Sequence, residues 1–253
     1  MSSMTRVKTT DEIAAMRESG KMLATVLAKL RSEITEGMCT KDLAEIAKAE
    51  LRGLGGQPTF LGYFGFPDVL CVSVNDEIVH GIPRKDLFIK QGDIVSMDFG
   101  VTYRGMITDA AITSIIGSLG NGSVQRLVND TERSLMAGIS VIQAGIKVGD
   151  ISCAIQKILD KGRYGIIRDL VGHGVGHSLH EDPNIPNYGK KGTGPILNAG
   201  MTIAIEPMAS LGDYKIKTDA DGWTIRTTDG SLAAHFEHTV LITHEGYEIL
   251  TTT

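Results

Sequence analysis

The chain has 253 residues, a net charge of −5, 42% hydrophobic and 22% charged residues. That is room for one large domain with a well-buried core, and the slight acidity leaves no basic footprint for nucleic acid or anionic membrane. The cysteines, Cys39, Cys71 and Cys153, are odd in number and show no C-x-x-C spacing. This argues against a disulfide framework or a thiolate zinc site and for a reducing compartment. The opening "MSSMTRVKTTDE" has no apolar run of a signal peptide, and no stretch has membrane-spanning length, so a cytoplasmic protein is expected.

A first helix is predicted over 9–32. Thr9 and Glu12 fit a capping box, and Ile13, Met16, Gly20, Leu23, Leu27 and Leu30 recur at three- and four-residue spacing. A second runs from Thr40 to Leu54 and is closed by "GLGG". Strands follow at 69–74, 92–105 and 107–117, then helices near 123–143 and 150–163. A loop at 187–195 and strands at 201–209 and 236–250 complete the order. Helices, strands, helices, strands predict two similar αβ halves sharing a sheet, an α+β class rather than a βαβ winding.

Four carboxylates stand in apolar, strand-like contexts. Asp98 lies in "VSMDFGV", Asp109 in "MITDAAIT", Glu206 in "TIAIEPM" and Glu237 in "FEHTVLI". Each costs several kcal/mol unless paired or metal-bound. One such residue is easily an edge position reaching water; four favour a cation cluster. Carboxylate oxygens with one imidazole suit Mn, Fe, Co or Zn, and two metals bridged by carboxylates activate water for hydrolysis.

The imidazole comes from "VGHGVGHSLHEDP", residues 171–183, which holds three of the seven histidines. Glycines at 172, 174 and 176 let backbone approach a site closely, and His173 is the best candidate ligand. This is not the H-E-x-x-H zinc helix, because no Glu follows His173. His180 stands at the motif's exit, and His80 precedes a Gly-Ile-Pro turn. For His177, His235, His238 and His244 the plainer reading, a hydrogen-bonded structural or surface residue, is kept.

Taken in order, "NDEIVHGIP", "DFG" with Asp98, Asp109 eleven residues on, "GHGVGHSLHEDP", "IEPM" and "FEHT" resemble the type I methionine aminopeptidases. The resemblance covers nearly the whole chain. It implies the pita-bread fold, in which two pseudo-symmetric αβ halves surround a curved, mainly antiparallel sheet with helices on the outer face. It also implies one catalytic domain over residues 1–253. Prolidases and Xaa-Pro aminopeptidases share the ligand order but usually carry an added N-terminal domain, which is not expected in this length. The helical insert of type II enzymes is not expected in the two dozen residues between "HSLHE" and "IEP".

The resemblance implies two divalent ions, drawn from Co, Mn, Fe, Ni or Zn. Asp98 would chelate one, Asp109 and Glu237 would bridge both, and His173 and Glu206 would complete the other site. A bridging water or hydroxide would be the nucleophile, with Glu206 as general base and then acid. His180 would donate to the scissile amide or its oxyanion, and His80 would help place the scissile bond. Phe60, Tyr63, Phe66, Cys71, Leu179 and Trp223 would line the methionine pocket, making Cys71 a small apolar wall and not a nucleophile. The implied substrates are N-termini of nascent polypeptides with a small second residue, met at the ribosome by a monomer, with no nucleic-acid motif and no membrane attachment. Several positions depart from the family's usual residues: Phe60, Phe66, Ala110, Ala111, His177 and His235.

Overall fold

The computed structural model describes residues 5–117 and 122–253. In chain order the helices are α1 (Thr10–Glu33), α2 (Thr40–Leu54), α3 (Gly122–Ser140) and α4 (Val148–Gly162). The strands are β1 (Gln57–Pro58), β2 (Cys71–Val74), β3 (Glu77–Val79), β4 (Ile94–Tyr103), β5 (Met106–Ile115), β6 (Gly165–Ile166), β7 (Gly172–Gly174), β8 (Glu181–Ile185), β9 (Thr202–Ile205), β10 (Met208–Ser210), β11 (Ile216–Thr218), β12 (Ile225–Thr227), β13 (Ala233–His235), β14 (His238–Ile242) and β15 (Tyr247–Ile249).

Helix α1 begins as its sequence requires. The Thr9 hydroxyl accepts from the Glu12 N–H, and the Glu12 carboxylate accepts from the Thr9 N–H at 2.8 Å. Its stripe of Met16, Gly20, Leu23, Leu27 and Leu30 is buried. Gly20 is dictated by space, since a side chain there would run into the carbonyl of Leu250. Together α1 and α2 cover the ladder β1–β4–β2, to which β5 adds on β4, and enclose one core with Leu43, Leu51, Leu70, Met97 and Phe99. The second core packs α3 and α4 through Leu127, Leu135, Ile151, Ile155 and Leu159 against Ile203, Ile205 and Val240 of the ladder β15–β14–β9–β7–β8. Each half is thus a helix pair on an antiparallel ladder, the α+β arrangement expected from the order of elements. Among the described residues no helix is long and apolar enough to cross a membrane.

Strands β1, β3, β6, β7, β8, β11, β12 and β13 have no counterpart in the sequence reading, and three of the expected elements differ in detail. Helix α3 ends at Ser140 rather than near 143. The stretch 236–250 is a hairpin, β14 and β15, turning at His244–Gly246. The stretch 201–209 is interrupted at Glu206–Pro207, where proline has no N–H to offer a ladder, and resumes as β10.

The halves meet along one seam. Ala111 of β5 exchanges backbone hydrogen bonds with Glu237, 2.9 Å in one direction and 3.3 Å in the other. Beside it the Thr239 hydroxyl accepts from the Asp109 N–H at 2.9 Å and donates to the Asp109 carbonyl at 2.8 Å. A residue from each half's central hairpin is therefore locked side by side where the carboxylates lie.

Candidate metal centre and substrate pocket

Strand register brings the ionisable residues to this seam. Asp98 lies opposite Cys71 on one side and Ala111 on the other, and Asp109 faces Gly100 on the paired strand. His173 lies opposite Ala204 in β9, so Glu206 emerges two residues beyond it, and the pairing His238–Ile205 puts Glu237 across from Glu206. Gly172 and Gly174 allow this. A side chain on Gly172 would strike the carbonyl of Ala204, and one on Gly174 would come within 2.6 Å of the Asp182 carbonyl oxygen. His80 is aimed by backbone in the left-handed region, φ 58°, which costs a non-glycine residue about 1–2 kcal/mol and is held by the surrounding strands.

Ligand atoms of Asp109, His173 and Glu237 all lie within 4.8 Å of one another. Nε2 of His173 is 3.4 Å from Glu206 Oε1. The Asp98 and Asp109 carboxyls are close enough for each to perturb the other's proton affinity. Asp98, Asp109, His173 and Glu237 are buried, and the Glu206 side chain is 13% exposed. Burial pushes the Asp98 carboxyl up to about 7. It raises Asp109, Glu206 and Glu237 well above the usual carboxylate range as well, and the negative neighbours add to the effect. Oδ1 of Asp98, Oδ1 of Asp109 and Oε1 of Glu237 are buried without a hydrogen-bond partner. Unpaired, buried, mutually repelling oxygens are the arrangement a divalent cation stabilises. The imidazole of His173 is depressed to about 3 by burial, and its Nδ1 lies 2.9 Å from the Gly174 carbonyl. With Nδ1–H donating to that carbonyl, Nε2 presents a lone pair to the cluster.

The cluster forms one wall of a cavity of about 250 Å³. The opposite wall is apolar: Phe60, Phe66, Cys71 and Leu179 are buried together, with Tyr63 and Trp223 packed against them and the Phe66 and Trp223 rings edge to face at 5.2 Å. Burial and the neighbouring carboxylates push the Cys71 thiol up, so it is an apolar wall and not a thiolate nucleophile. His80 and His180 line the same cavity. Burial and the neighbouring His180 lower His80 to about 4, and packing lowers His180 as well, so both are neutral near pH 7. The Tyr63 hydroxyl is 2.8 Å from His180 Nδ1, and the His180 ring lies edge to face on His173 at 4.4 Å.

The expected ligands, the apolar pocket residues, His80 and His180 all line one cavity. His177, His238 and His244 are the structural or surface residues expected. His177 pairs with Glu12 at 2.7 Å, His238 with the Thr251 hydroxyl at 2.8 Å, and His244 is exposed. His235 departs from its plain reading. It is 1% exposed, neither ring nitrogen has a hydrogen-bond partner, and Nε2 lies 3.7 Å from Glu206 and 4.0 Å from Glu237.

The turn bearing His180 is fastened by a segment the sequence reading passed over. The Lys8 ammonium, fully buried, donates to Glu181 at 3.1 Å and to the Thr5 hydroxyl at 2.6 Å. The second Glu181 oxygen accepts from the His177 and Ser178 N–H groups at 2.8 and 2.9 Å. Burial opposes the charge on Glu181, but these donors hold its carboxyl below the usual range. Lys8→Met strands that buried charge and is expected to cost about 3–5 kcal/mol. Denaturant unfolding with an unchanged slope checks it; a loss under about 1 kcal/mol, the range of an exposed pair, contradicts the assignment.

The model of metallopeptidase family M24 matches residues 14–244. The chain belongs to this family. Among its relatives, methionine aminopeptidase 1 of Bacillus subtilis is 43% identical over 244 residues, spanning 96% of this chain and 98% of the relative. The methionine aminopeptidase of Clostridium perfringens is 43% identical over 97% and 98% of the two chains. The crystal structure of methionine aminopeptidase from Thermotoga maritima superposes with a TM-score of 0.97 at 47% identity, over 99% of this chain and 100% of that one. The prolidase of Pyrococcus furiosus shares the fold, with a TM-score of 0.78 at 24% identity, and this chain spans 65% of its length. Within the M24 family the chain groups with the methionine aminopeptidases and has their pita-bread fold.

Proposed function

We propose that this chain removes the N-terminal methionine from polypeptides whose second residue is small, using two divalent ions held by Asp98, Asp109, His173, Glu206 and Glu237. The observation that carries the reading is the single cavity in which an apolar pocket faces a buried carboxylate–imidazole cluster. Membership of a metallopeptidase family makes the chain a divalent-metal enzyme. The two-ion site is supported by five donors, three of them with unpaired buried oxygens. Asp109, His173 and Glu237, whose ligand atoms lie within 4.8 Å of one another, would hold metal together with Asp98 and Glu206, the latter 3.4 Å from His173. Bound there, such ions would supply a water of lowered pKa and a Lewis acid for the scissile carbonyl.

The remaining chemistry belongs to the chain. Phe60, Tyr63, Phe66, Cys71, Leu179 and Trp223 accept the methionine side chain by excluding water from it. Glu206 takes the proton of the attacking water and returns it to the amine that leaves. Burial keeps the Tyr63 hydroxyl protonated, and with His180 in its Nε2–H tautomer that hydroxyl donates to Nδ1, 2.8 Å away. Nε2 of His180 then carries the hydrogen and donates to the scissile carbonyl oxygen as charge develops there. His80, neutral and fixed by its backbone, flanks the second residue of the substrate. Between His80, His180 and the ligand set there is little room beside the scissile bond. A bulky second side chain displaces the carbonyl, and a misplacement of about 1 Å costs on the order of 10²-fold in rate.

The test is kcat/KM over a Met-Xaa-Ser peptide set at saturating Mn(II), with Xaa-Pro peptides alongside. Met-Gly, Met-Ala and Met-Ser peptides should be cleaved about 10²-fold or more faster than Met-Leu, Met-Lys and Met-Glu peptides. Equal rates for Met-Ala and Met-Lys overturn the placement of the second residue, and a preference for Xaa-Pro overturns the pocket.

A further inference from the structure

His235 is buried among the active-site carboxylates yet makes no hydrogen bond through its ring. Its backbone is anchored from two sides. In β13 it lies opposite Met208 of β10, two residues beyond Glu206. Its N–H donates to the Thr113 hydroxyl at 3.1 Å, and its carbonyl accepts from the same hydroxyl at 2.6 Å. These anchors hold the backbone that carries the imidazole beside Glu206. Of the two Glu206 oxygens, Oε1 is 3.4 Å from His173 Nε2 and Oε2 is 3.7 Å from His235 Nε2, so the carboxylate sits between the two rings.

We propose that His235 is a positioning residue for Glu206, its Nε2–H donating to Oε2 and fixing the plane of the carboxylate that both holds metal and moves the proton. This rests on the proposed function. Hydrogen-bond range for such a pair is about 2.7–3.2 Å, so roughly 0.5 Å of side-chain travel closes the contact. Two requirements drive it. The imidazole nitrogens are buried and unpaired, and a donor on Oε2 would stabilise an ionised Glu206. A carboxylate held on one oxygen only is free to rotate about its last torsion, which is broad, whereas one held on both oxygens keeps its coordinating lone pair aimed. Glu237 Oε2, at 4.0 Å, is the farther neighbour.

Two variants test this, H235L, which removes the donor, and H235Q, whose amide keeps one. Mn(II) affinity of the chelator-stripped protein is measured by titration calorimetry, and kcat and KM are measured separately on Met-Ala-Ser. H235L should weaken Mn(II) binding about 10–100-fold and lower kcat while KM stays close to that of the unaltered chain; H235Q should recover most of both. H235L binding Mn(II) and turning over like the unaltered chain overturns the proposal, as does H235Q being as impaired as H235L. If H235L does not fold, as read by its thermal melt, H235N replaces it. Its shorter amide stops short of Glu206, so H235Q must outperform it, and equal performance overturns the proposal. Failure of the unaltered chain to bind Mn(II) or to cleave Met-Ala-Ser strikes the proposed function itself, whereas normal behaviour there with unaffected variants strikes His235 alone.

Discussion

Glu206→Gln should leave the fold intact and lower kcat by about 10²–10⁴-fold, the contribution of a positioned general base. The substitution keeps the side chain's volume and leaves one oxygen to face His173, 3.4 Å away in the parent chain. What it removes is the ability to take a proton from water and hand it to the departing amine. Some metal affinity is lost with the charge, so the comparison requires saturating Mn(II). The readout is kcat on Met-Ala-Ser, with the thermal melt as a control for folding. A variant within a few-fold of the parent in kcat would move the proton-transfer role away from Glu206.

The second large effect is thermodynamic. The four carboxyls have folded-state pKa values raised by burial and by each other, Asp98 to about 7 and the others upward. In chelator-stripped protein the folded state therefore binds more protons than the unfolded chain above pH ~4, where an unfolded carboxyl titrates. The slope of unfolding free energy with pH is then negative. The contribution of these groups is fully present below pH ~4 and is lost as pH rises through about 7 for Asp98. Cations bind the ionised forms, so loading releases protons and offsets the loss most strongly at neutral pH. At Mn(II) concentrations of 100 to 1,000 times Kd the gain is about 2.7–4.1 kcal/mol, or roughly 5–16 °C in Tm for a chain of this size. The measurement is Tm with and without Mn(II) from pH 5 to 8. The gap should widen with pH; a Tm unmoved by stripping, or a gap that narrows toward neutrality, contradicts the clustered-carboxylate account.

Legibility of the fold in the sequence followed element length and period. Helix α1 announces itself by its cap and by five turns of apolar spacing, and β4 and β5 by ten-residue apolar runs with a turn between. The aspartates in those two strands are conspicuous because a charge in a buried strand is costly. Strands β7 and β8 are the opposite case. "GHG" and "EDPNI" have glycine and proline where strand propensity wants β-branched residues, and they are held by neighbours rather than by local preference. Lys8 reads as a solvated charge until its buried partner, 173 residues away, is known. His235 was harder, because a neutral imidazole among alanines carries no signal of misplaced charge. One clue was available: His235, Phe236 and Glu237 alternate, so an extended chain puts the imidazole and the carboxylate on one face. The break at Glu206–Pro207 was likewise written in the proline, although the apolar residues on both sides read as one strand.

Under the proposed function, divalent cations on Asp98, Asp109, His173, Glu206 and Glu237 would supply the nucleophile from a bound water. The most direct test is an add-back titration: protein stripped with a chelator, then Mn(II) added in steps while cleavage of Met-Ala-Ser is followed. The stripped protein should not cleave, activity should rise with added Mn(II) to a plateau, and renewed chelation should abolish it. Cleavage of Met-Ala-Ser by protein shown to be free of metal would contradict this role of the cations.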